Sequence, residues 1–525
     1  MRISASLFSI PALLVAAAFA LSCPGAAPGR GGVVLYSEHG AKGDGVTDDF
    51  DAIARAHAAA NRTGARVRAD AGATYYIGAT DKTAEIQTDT DWGDAKFIID
   101  DSKIAGNDAK SRGMHVFNVS SALPTARIAT VKKLAKNQAK IDLSLPHDSL
   151  VVVTDATTKR HIREGLNQNT GHAQTDVLVI DKNGGVSATT PVAWDFGNVS
   201  TMTAHPIDAE TLTIRGGRFT TIANQAESKY TYYSRGISVR RSNVVIDGLR
   251  HDITGELDHG APYFGFIAVS NCSGLTVQNC KLSGHRKYET IGSAGKPVSM
   301  GSYDITVNSS ANVTFRNCRQ VNDIHDTRLW GIFASNHSKR ITFDNVEFSR
   351  FDAHMGVRNA TIKNSVLGHM GINIIGGGVL LVENTRVHSR HFVNMRPDYG
   401  STWEGVIIIR NCEFSPPRGA RAGAVLVGGA NSGRHNFGYV CHMPEKITID
   451  GLVINDAEHA KARDYPGPGI FANFNPARTS EAYQEKFPYV ITREVEIKNL
   501  TVKSGKKLLV SDNAVMFRGV RIMEK

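Results

Sequence analysis

The sequence predicts an all-β chain wound as a parallel β-helix, and three observations lead there. A six-residue phrase recurs, reading LTVQNC from Leu275, VTFRNC from Val313, ITFDNV from Ile341, ATIKNS from Ala360 and ITIDGL from Ile447. Its third residue is always apolar and its fifth is always Gly or Asn. Successive copies are unevenly spaced, with steps of 19 and 20 residues from Ile341 to Ala360 to Leu380 and longer ones elsewhere. A coil with one fixed turn and loops of variable length at its other corners gives that combination. A leucine-rich repeat or a propeller would keep a stricter period, and the strands of a sandwich would not all end in the same bend.

Each part of the phrase has a physical reason. Alternation over its first three residues makes a strand with one face inward. Copies aligned from Leu212, Val244, Leu275, Val313, Ile341, Ala360, Leu380, Ile407, Ile447 and Val495 put Ile214, Ile246, Val277, Phe315, Phe343, Ile362, Val382, Ile409, Ile449 and Ile497 on that face. The fifth position holds Gly216, Gly248, Asn279, Asn317, Asn345, Asn364, Asn384, Asn411, Gly451 and Asn499. It calls for a left-handed backbone, which Gly and Asn tolerate best. Cys280, Cys318 and Cys412 share the sixth position, which predicts small buried residues in a row with free thiols, not a disulfide framework.

The ends of such a stack need covering, because an open coil exposes strand edges. Arg2, the apolar run from Leu7 to Leu21 and the small residues Ala18 to Ala20 fit a signal peptide over residues 1–22, so the chain is expected to be secreted or periplasmic. Cys23 offers a lipid anchor as the alternative. No other stretch reads as a membrane span. Residues 33–119 read as the N-terminal cap and first coils. Within them GAKGDGVTDDFDAIARAHAAANRTGARV predicts a capping helix, with Thr47 as N-cap, Asp48 and Asp49 near its positive end, Phe50, Ile53 and Ala54 as an apolar stripe, and Gly64 as the stop. Residues 120–205 lack the phrase; ATVKKLAKNQAKIDL and DVLVIDKNGGVSATTPVAWDF predict short antiparallel strands around an NGG turn, a small β insertion. Residues 206–525 make the body.

The segment YSEHGAKGDGVTDDFDAIARAHAAA resembles the opening of the pectate-lyase-like superfamily of right-handed β-helix proteins. With the repeated phrase, the resemblance covers most of the chain. It implies a single-stranded right-handed parallel β-helix with an N-terminal capping helix. It does not fix the substrate, since that superfamily holds lyases, hydrolases, epimerases and phage tailspikes.

Polar residues crowd the shortest coils, in HDTRLWG, SRFDAHMG, LGHMGINIIGGG and VHSRHFVNMRPDYGSTW, where little loop shields the surface. Counting thirteen residues from each phrase start stacks His354, Asn373 and Val393; two residues earlier the count gives Asp352, Gly371 and His391. On that count Arg350, Asp352, His354, His369, Asn373 and His391 share an outward surface around a bare Gly371, above an inward row of Ala353, Ile372 and Phe392. A rival register equates HMGV from His354 with HMGI from His369.

Breaking a uronic-acid polymer by β-elimination needs a neutraliser for the carboxylate, a base for the C5 proton and an acid for the leaving oxygen. The candidates are Asn373 with Arg396 for the carboxylate, His354 or His369 as base, and Tyr399 as acid, with Asp352 able to orient a histidine. Arg350, Asp352, His391, Arg328, Trp330 and Trp403 are candidate substrate contacts, the two tryptophans either as sugar platforms or as coil-edge packing.

Sixty Lys+Arg against fifty Asp+Glu give +10, which in an exported chain points to an acidic polysaccharide partner and away from nucleic acid. That charge, and a resemblance of RPDYGSTW to glycosaminoglycan-lyase relatives, favour chondroitin or dermatan sulfate. The alternatives are a hydrolase on a pectin-like polymer, for which Asp352 and Asp398 would be the carboxylate pair, and a non-catalytic glycan-binding β-helix. No cofactor is expected, no converging carboxylates suggest a calcium or other metal site, and the chain is expected to act as a monomer.

Overall fold

The structure is a computed structural model and describes residues 32–78, 82–104, 114–227, 232–257, 260–417, 423–461, 464–471 and 474–524. The proposed leader and Cys23 lie outside the described residues. The chain is an all-β, right-handed parallel β-helix. Leu212 pairs in parallel with Val244, and the file runs on through Leu275, Val313, Ile341, Ala360, Leu380, Ile407, Ile447 and Val495. The alignment of the phrase is therefore the pairing register. The structure adds rungs at both ends, Thr90, Val67 and Val34 before Ile214 and Ile522 after Val495.

All ten residues at the fifth position are left-handed, with φ between 48° and 75°. The asparagines also bond along the stack. Asn345 Nδ2 donates to Asn317 Oδ1 at 2.8 Å, Asn317 Nδ2 to Asn279 Oδ1 at 3.2 Å, and Asn279 Nδ2 to Asp247 Oδ1 at 2.7 Å. Just inside this bend Cys280, Cys318 and Cys412 are buried as free thiols.

Each coil adds two further strands: a short one after the bend and a third that returns toward the next phrase. The third row contains Ile237–Val239, Ile267–Ser270 and Ile305–Asn308, then the start of Phe333–Asp344. Between the rows aromatic side chains fill the core; Phe97 stacks on Phe219 at 4.6 Å and Phe333 on Phe351 at 5.4 Å.

The helix Phe50–Thr63 covers the first coils, and its cap differs from the expected one. Asp49, not Thr47, stands at the N-cap, while its carboxylate accepts from the amides of Lys42 (2.6 Å) and Gly43 (3.0 Å). Thr47 instead donates its hydroxyl to Asp44. The free amide of Phe50 is met by Asp48 Oδ1 at 3.0 Å, so the acidic pair closes both the helix start and the loop before it. Gly64 ends the helix with φ 72°.

Residues Ala126–Arg127, Ser149–Arg160, His172–Ile180 and Thr201–Pro206 form a separate four-stranded antiparallel sheet with its own core around Val151, Leu178, Phe196 and Met202. It is tied to the coils by a buried Lys339–Asp176 ion pair at 2.7 Å.

In the early coils a fully buried Asp304 accepts from His251 Nδ1 (2.8 Å) and His285 Nε2 (3.1 Å), and His285 Nδ1 faces Glu256 at 3.5 Å. Burial alone would lower the His285 pKa, but the bonds to Asp304 and Glu256 outweigh it and raise it to about 10.

Asn345→Ala should destabilise the fold by about 1–2 kcal/mol through left-handed strain and a lost ladder bond, while Asn345→Gly keeps the backbone and loses less; urea-unfolding midpoints compare them. The His285 contribution is complete below its ordinary value of 6.5 and is lost as pH rises through about 10. Wild-type stability should therefore fall more steeply across that window than that of His285→Gln, measured by urea unfolding at several pH values.

Candidate active site

The site grows from two irregularities in the stack. After the Asn345 bend, Phe348 pairs with Leu367, but Arg350 then pairs with Gly371, Phe351 with Ile372 and Asp352 with Asn373. Two extra residues have been absorbed around His369. One coil earlier Ser335 pairs with Ala353 while Asn336 pairs with Met355, leaving His354 as the extra residue of a bulge. Bulges re-aim side chains and shift register, which is why neither expected alignment holds. Asp352 stacks on Asn373 and Asn394, not on Gly371 and His391, and the inward file is Phe351, Ile372 and Val393. Gly371 is not a bare platform: it is buried at φ 58°, and a Cβ there would meet Ser389 at 2.8 Å.

Around Asp352 lies a chain of alternating charge. Its carboxylate is fully buried and accepts from Tyr303 Oη (2.9 Å), Arg350 Nη2 (2.8 Å) and Arg396 Nη1 (3.0 Å). Gly331 leaves room for the Arg350 stem, since a Cβ there would lie 2.2 Å from its Cδ. Arg396 continues to Asp398 through Nη2 (2.8 Å), and Asp398 is held from its other side by Arg163 of the insertion (2.8 Å). Burial would raise both carboxylates, but the flanking guanidiniums outweigh it, holding Asp352 down at about 2 and Asp398 below its ordinary value. Three guanidiniums against two carboxylates leave the row positive.

Beside this row, Tyr399 is 1% exposed, with the guanidiniums of Arg396 and Arg163 each 5.2 Å from its ring centre and the ring of His354 edge-on at 5.7 Å. Burial raises the Tyr399 pKa, so its hydroxyl keeps its proton. His354 Nδ1 faces Asn336 Oδ1 at 3.1 Å, and the Asn336 amide nitrogen is spent on Asn308 Oδ1 at 2.6 Å. Asn336 thus offers His354 an acceptor, which puts the imidazole proton on Nδ1 and leaves Nε2 with a free lone pair. Burial, reinforced by Arg396, lowers the His354 pKa to about 3, so the ring is neutral at ordinary pH. His161 extends the cluster, edge-on to His337 at 5.3 Å and to Tyr399 at 6.0 Å.

A cavity of about 330 Å³ adjoins these residues, between insertion and coils. It reaches from His161 and Met355 to Trp194, which stacks against Tyr439 at 6.2 Å and carries the Arg160 guanidinium 4.7 Å above its ring.

Of the residues singled out in the sequence, Arg350, Asp352, His354, Arg396 and Tyr399 come together. Asn373 lies next to Asp352 in the ladder, but its amide donates to Met370 O (2.7 Å) and its oxygen accepts from Asn394 (2.8 Å). His369 stands apart from this cluster, its Nδ1 3.0 Å from Ile324 O. His391 pairs with Val425 in the next coil. Trp330 packs by Arg350 at 5.4 Å, and Arg328 is exposed in an ion pair with Asp326. Trp403 is fully buried, its Nε1 donating to Gly378 O and Val406 O, so it packs the core and cannot stack on a sugar. Tyr303, Asn336, His161 and Arg163 belong to the site without having been expected; none sits in the crowded polar segments. Among the described residues no group of three or more His, Cys, Asp or Glu is arranged to hold a metal ion.

No protein-family model matches the chain, and no curated protein matches it. Solved structures do. The tailspike gp61 of Pseudomonas phage phi297 is 14% identical, with TM-score 0.51, over 93% of this chain and 83% of that one. The Gp54 tailspike of Acinetobacter baumannii bacteriophage AP22, solved with A. baumannii capsular saccharide, is 8% identical, with TM-score 0.50, over 90% and 76%. These likenesses show the fold alone.

The His354 tautomer is directly testable. Nitrogen NMR of labelled protein at pH 7 should show Nδ1 protonated and Nε2 bare, and Asn336→Asp should raise the imidazole pKa by at least about one unit, because a carboxylate favours the charged ring.

Proposed function

We propose that this chain is a polysaccharide lyase acting on an acidic, uronic-acid-containing polymer. The observation that carries the reading is a neutral His354, its Nε2 freed by Asn336, set beside a positive row and a protonated tyrosine. A uronate carboxylate placed at the outer edge of Arg163, with Arg396 behind it, is neutralised, which acidifies the C5 proton. His354 Nε2 takes that proton, and the electron pair left on C5 forms the C4–C5 double bond as the C4–O bond breaks. Tyr399 gives its proton to the departing oxygen. Asp352 and Asp398 act as positioning residues that hold the guanidiniums.

Hydrolysis fits these residues less well. A hydrolase needs one carboxylic acid that keeps its proton and a second that reaches the sugar. Asp352 and Asp398 are both held ionised, and Asp352 is fully buried under three donors. A sulfated glycosaminoglycan such as chondroitin or dermatan sulfate is the favoured polymer. It is supported by the +10 charge and by the cations Lys136, Arg160 and Arg358 that line the adjoining cavity.

Incubation with chondroitin, dermatan, hyaluronan, pectate and alginate should produce ultraviolet absorbance from an unsaturated uronate on at least one of them. Reducing ends without absorbance would indicate a hydrolase, and tight binding without cleavage a binding module. His354→Ala should lower kcat by about 10²–10⁴-fold with folding intact. Since His354 titrates near 3, kcat/KM should not fall with a midpoint near 6.5 on the acid side, whereas Asn336→Asp should move the acid limb upward.

A further inference from the structure

On the row of strands that follows the Asn/Gly bend, one register position is basic on five successive coils. Lys96 pairs with Arg218, Arg218 with Arg250, Arg250 with Lys281 and Lys281 with Arg319. Their strand neighbours Phe97, Phe219, His251 and Leu282 are buried, so by alternation the five point outward. Lys96, Arg218 and Lys281 are exposed, and Arg250 and Arg319 half-buried. Arg250 pairs with Asp252 at 2.6 Å and Arg319 with Glu347 at 3.5 Å. Among the described residues Lys96, Arg218 and Lys281 have no carboxylate within ion-pair distance. Lys96, Arg218, Arg250 and Lys281 line one open groove of about 740 Å³, in which Asp94 and Asp252 are the acidic residues.

Like charges on neighbouring rungs repel and destabilise a sheet. With 60 Lys+Arg in 525 residues, about one position in nine is basic, so five in succession at one register position are not what a merely solvated surface supplies. The file spans about 19 Å at about 4.8 Å per rung. We infer that this ladder is a second polyanion-binding track, separate from the His354 site, that holds an extended acidic polysaccharide. The rung spacing is close to the advance per ring of an extended glycan, so anionic groups along one edge of the chain can meet successive cations. The site's row follows this one around the coil, and segments 283–304 and 321–332 leave between the two rows, placing the ladder on its own face. The inference rests on the proposed function only for the polymer's identity.

The test compares two triple variants that remove equal charge: Lys96→Ala/Arg218→Ala/Lys281→Ala on the ladder, and Lys132→Ala/Lys182→Ala/Lys503→Ala at exposed positions elsewhere. Binding to immobilised chondroitin sulfate, and to polygalacturonate as a second polyanion, is measured against sodium chloride concentration. The ladder triple should bind about tenfold or more weakly and elute at lower salt, with the control triple close to wild type. Equal losses in both triples, or no loss in the ladder triple, would overturn the track. Turnover of a tetrasaccharide too short to span both faces keeps the two proposals apart. Should the lyase reading hold, the ladder triple retains wild-type turnover on it. Should the lyase reading fail, no unsaturated product forms, yet the binding difference between the triples remains.

Discussion

A left-handed residue at the same point of every coil fixes the register of the stack, and the site, the core and the cationic file all inherit their positions from it. In a strand, a slip of one residue sends every inward side chain outward. Here each phrase ends at a backbone that only Gly or Asn adopts cheaply, and the asparagine amides bond to the coil below, so successive coils lock at one corner. With that corner fixed, the others are free to carry loops of very different length. This is how one fold accommodates a helix cap, an antiparallel insertion and a groove.

On this frame the site is held by charge. A buried carboxylate with its partners removed would be strongly destabilising, which is why Asp352 is surrounded by Tyr303, Arg350 and Arg396. The chain of ion pairs runs from Arg350 to Arg163, linking the strand Glu347–Lys363, the turn after Met395 and the insertion. Burial, reinforced by Arg396, keeps the neighbouring histidine neutral. The groups that stabilise the buried carboxylate therefore also leave a net positive face beside an unprotonated imidazole nitrogen.

Much of the fold was legible because its code is local. Three alternating residues and a Gly or Asn state both strand and bend, and the ten aligned copies reproduce the pairing register from Leu212 to Val495. The site was legible only in part. Arg350, Asp352, His354, Arg396 and Tyr399 stood out as polar residues on short coils. Their contacts did not, because bulges at His354 and around His369 carry no signature in the local pattern and displace the register by one and two residues. Arg163 reaches the site from the insertion, a contact between segments far apart in the chain that no periodicity encodes. Trp403 shows the opposite error, since an aromatic near polar residues reads as a platform until its burial is known.

In the proposed reaction a uronate ring sits with C5 facing His354 Nε2 and its carboxylate at Arg163. A crystal structure of His354→Asn with an acidic oligosaccharide of the cleaved polymer tests it most directly. The predicted result is a sugar at the Arg396–Tyr399 cluster, C5 toward the substituted side chain and the bridging oxygen toward the Tyr399 hydroxyl. An oligosaccharide bound in that orientation to none of these groups, or one whose bridging oxygen meets Asp398, would contradict it.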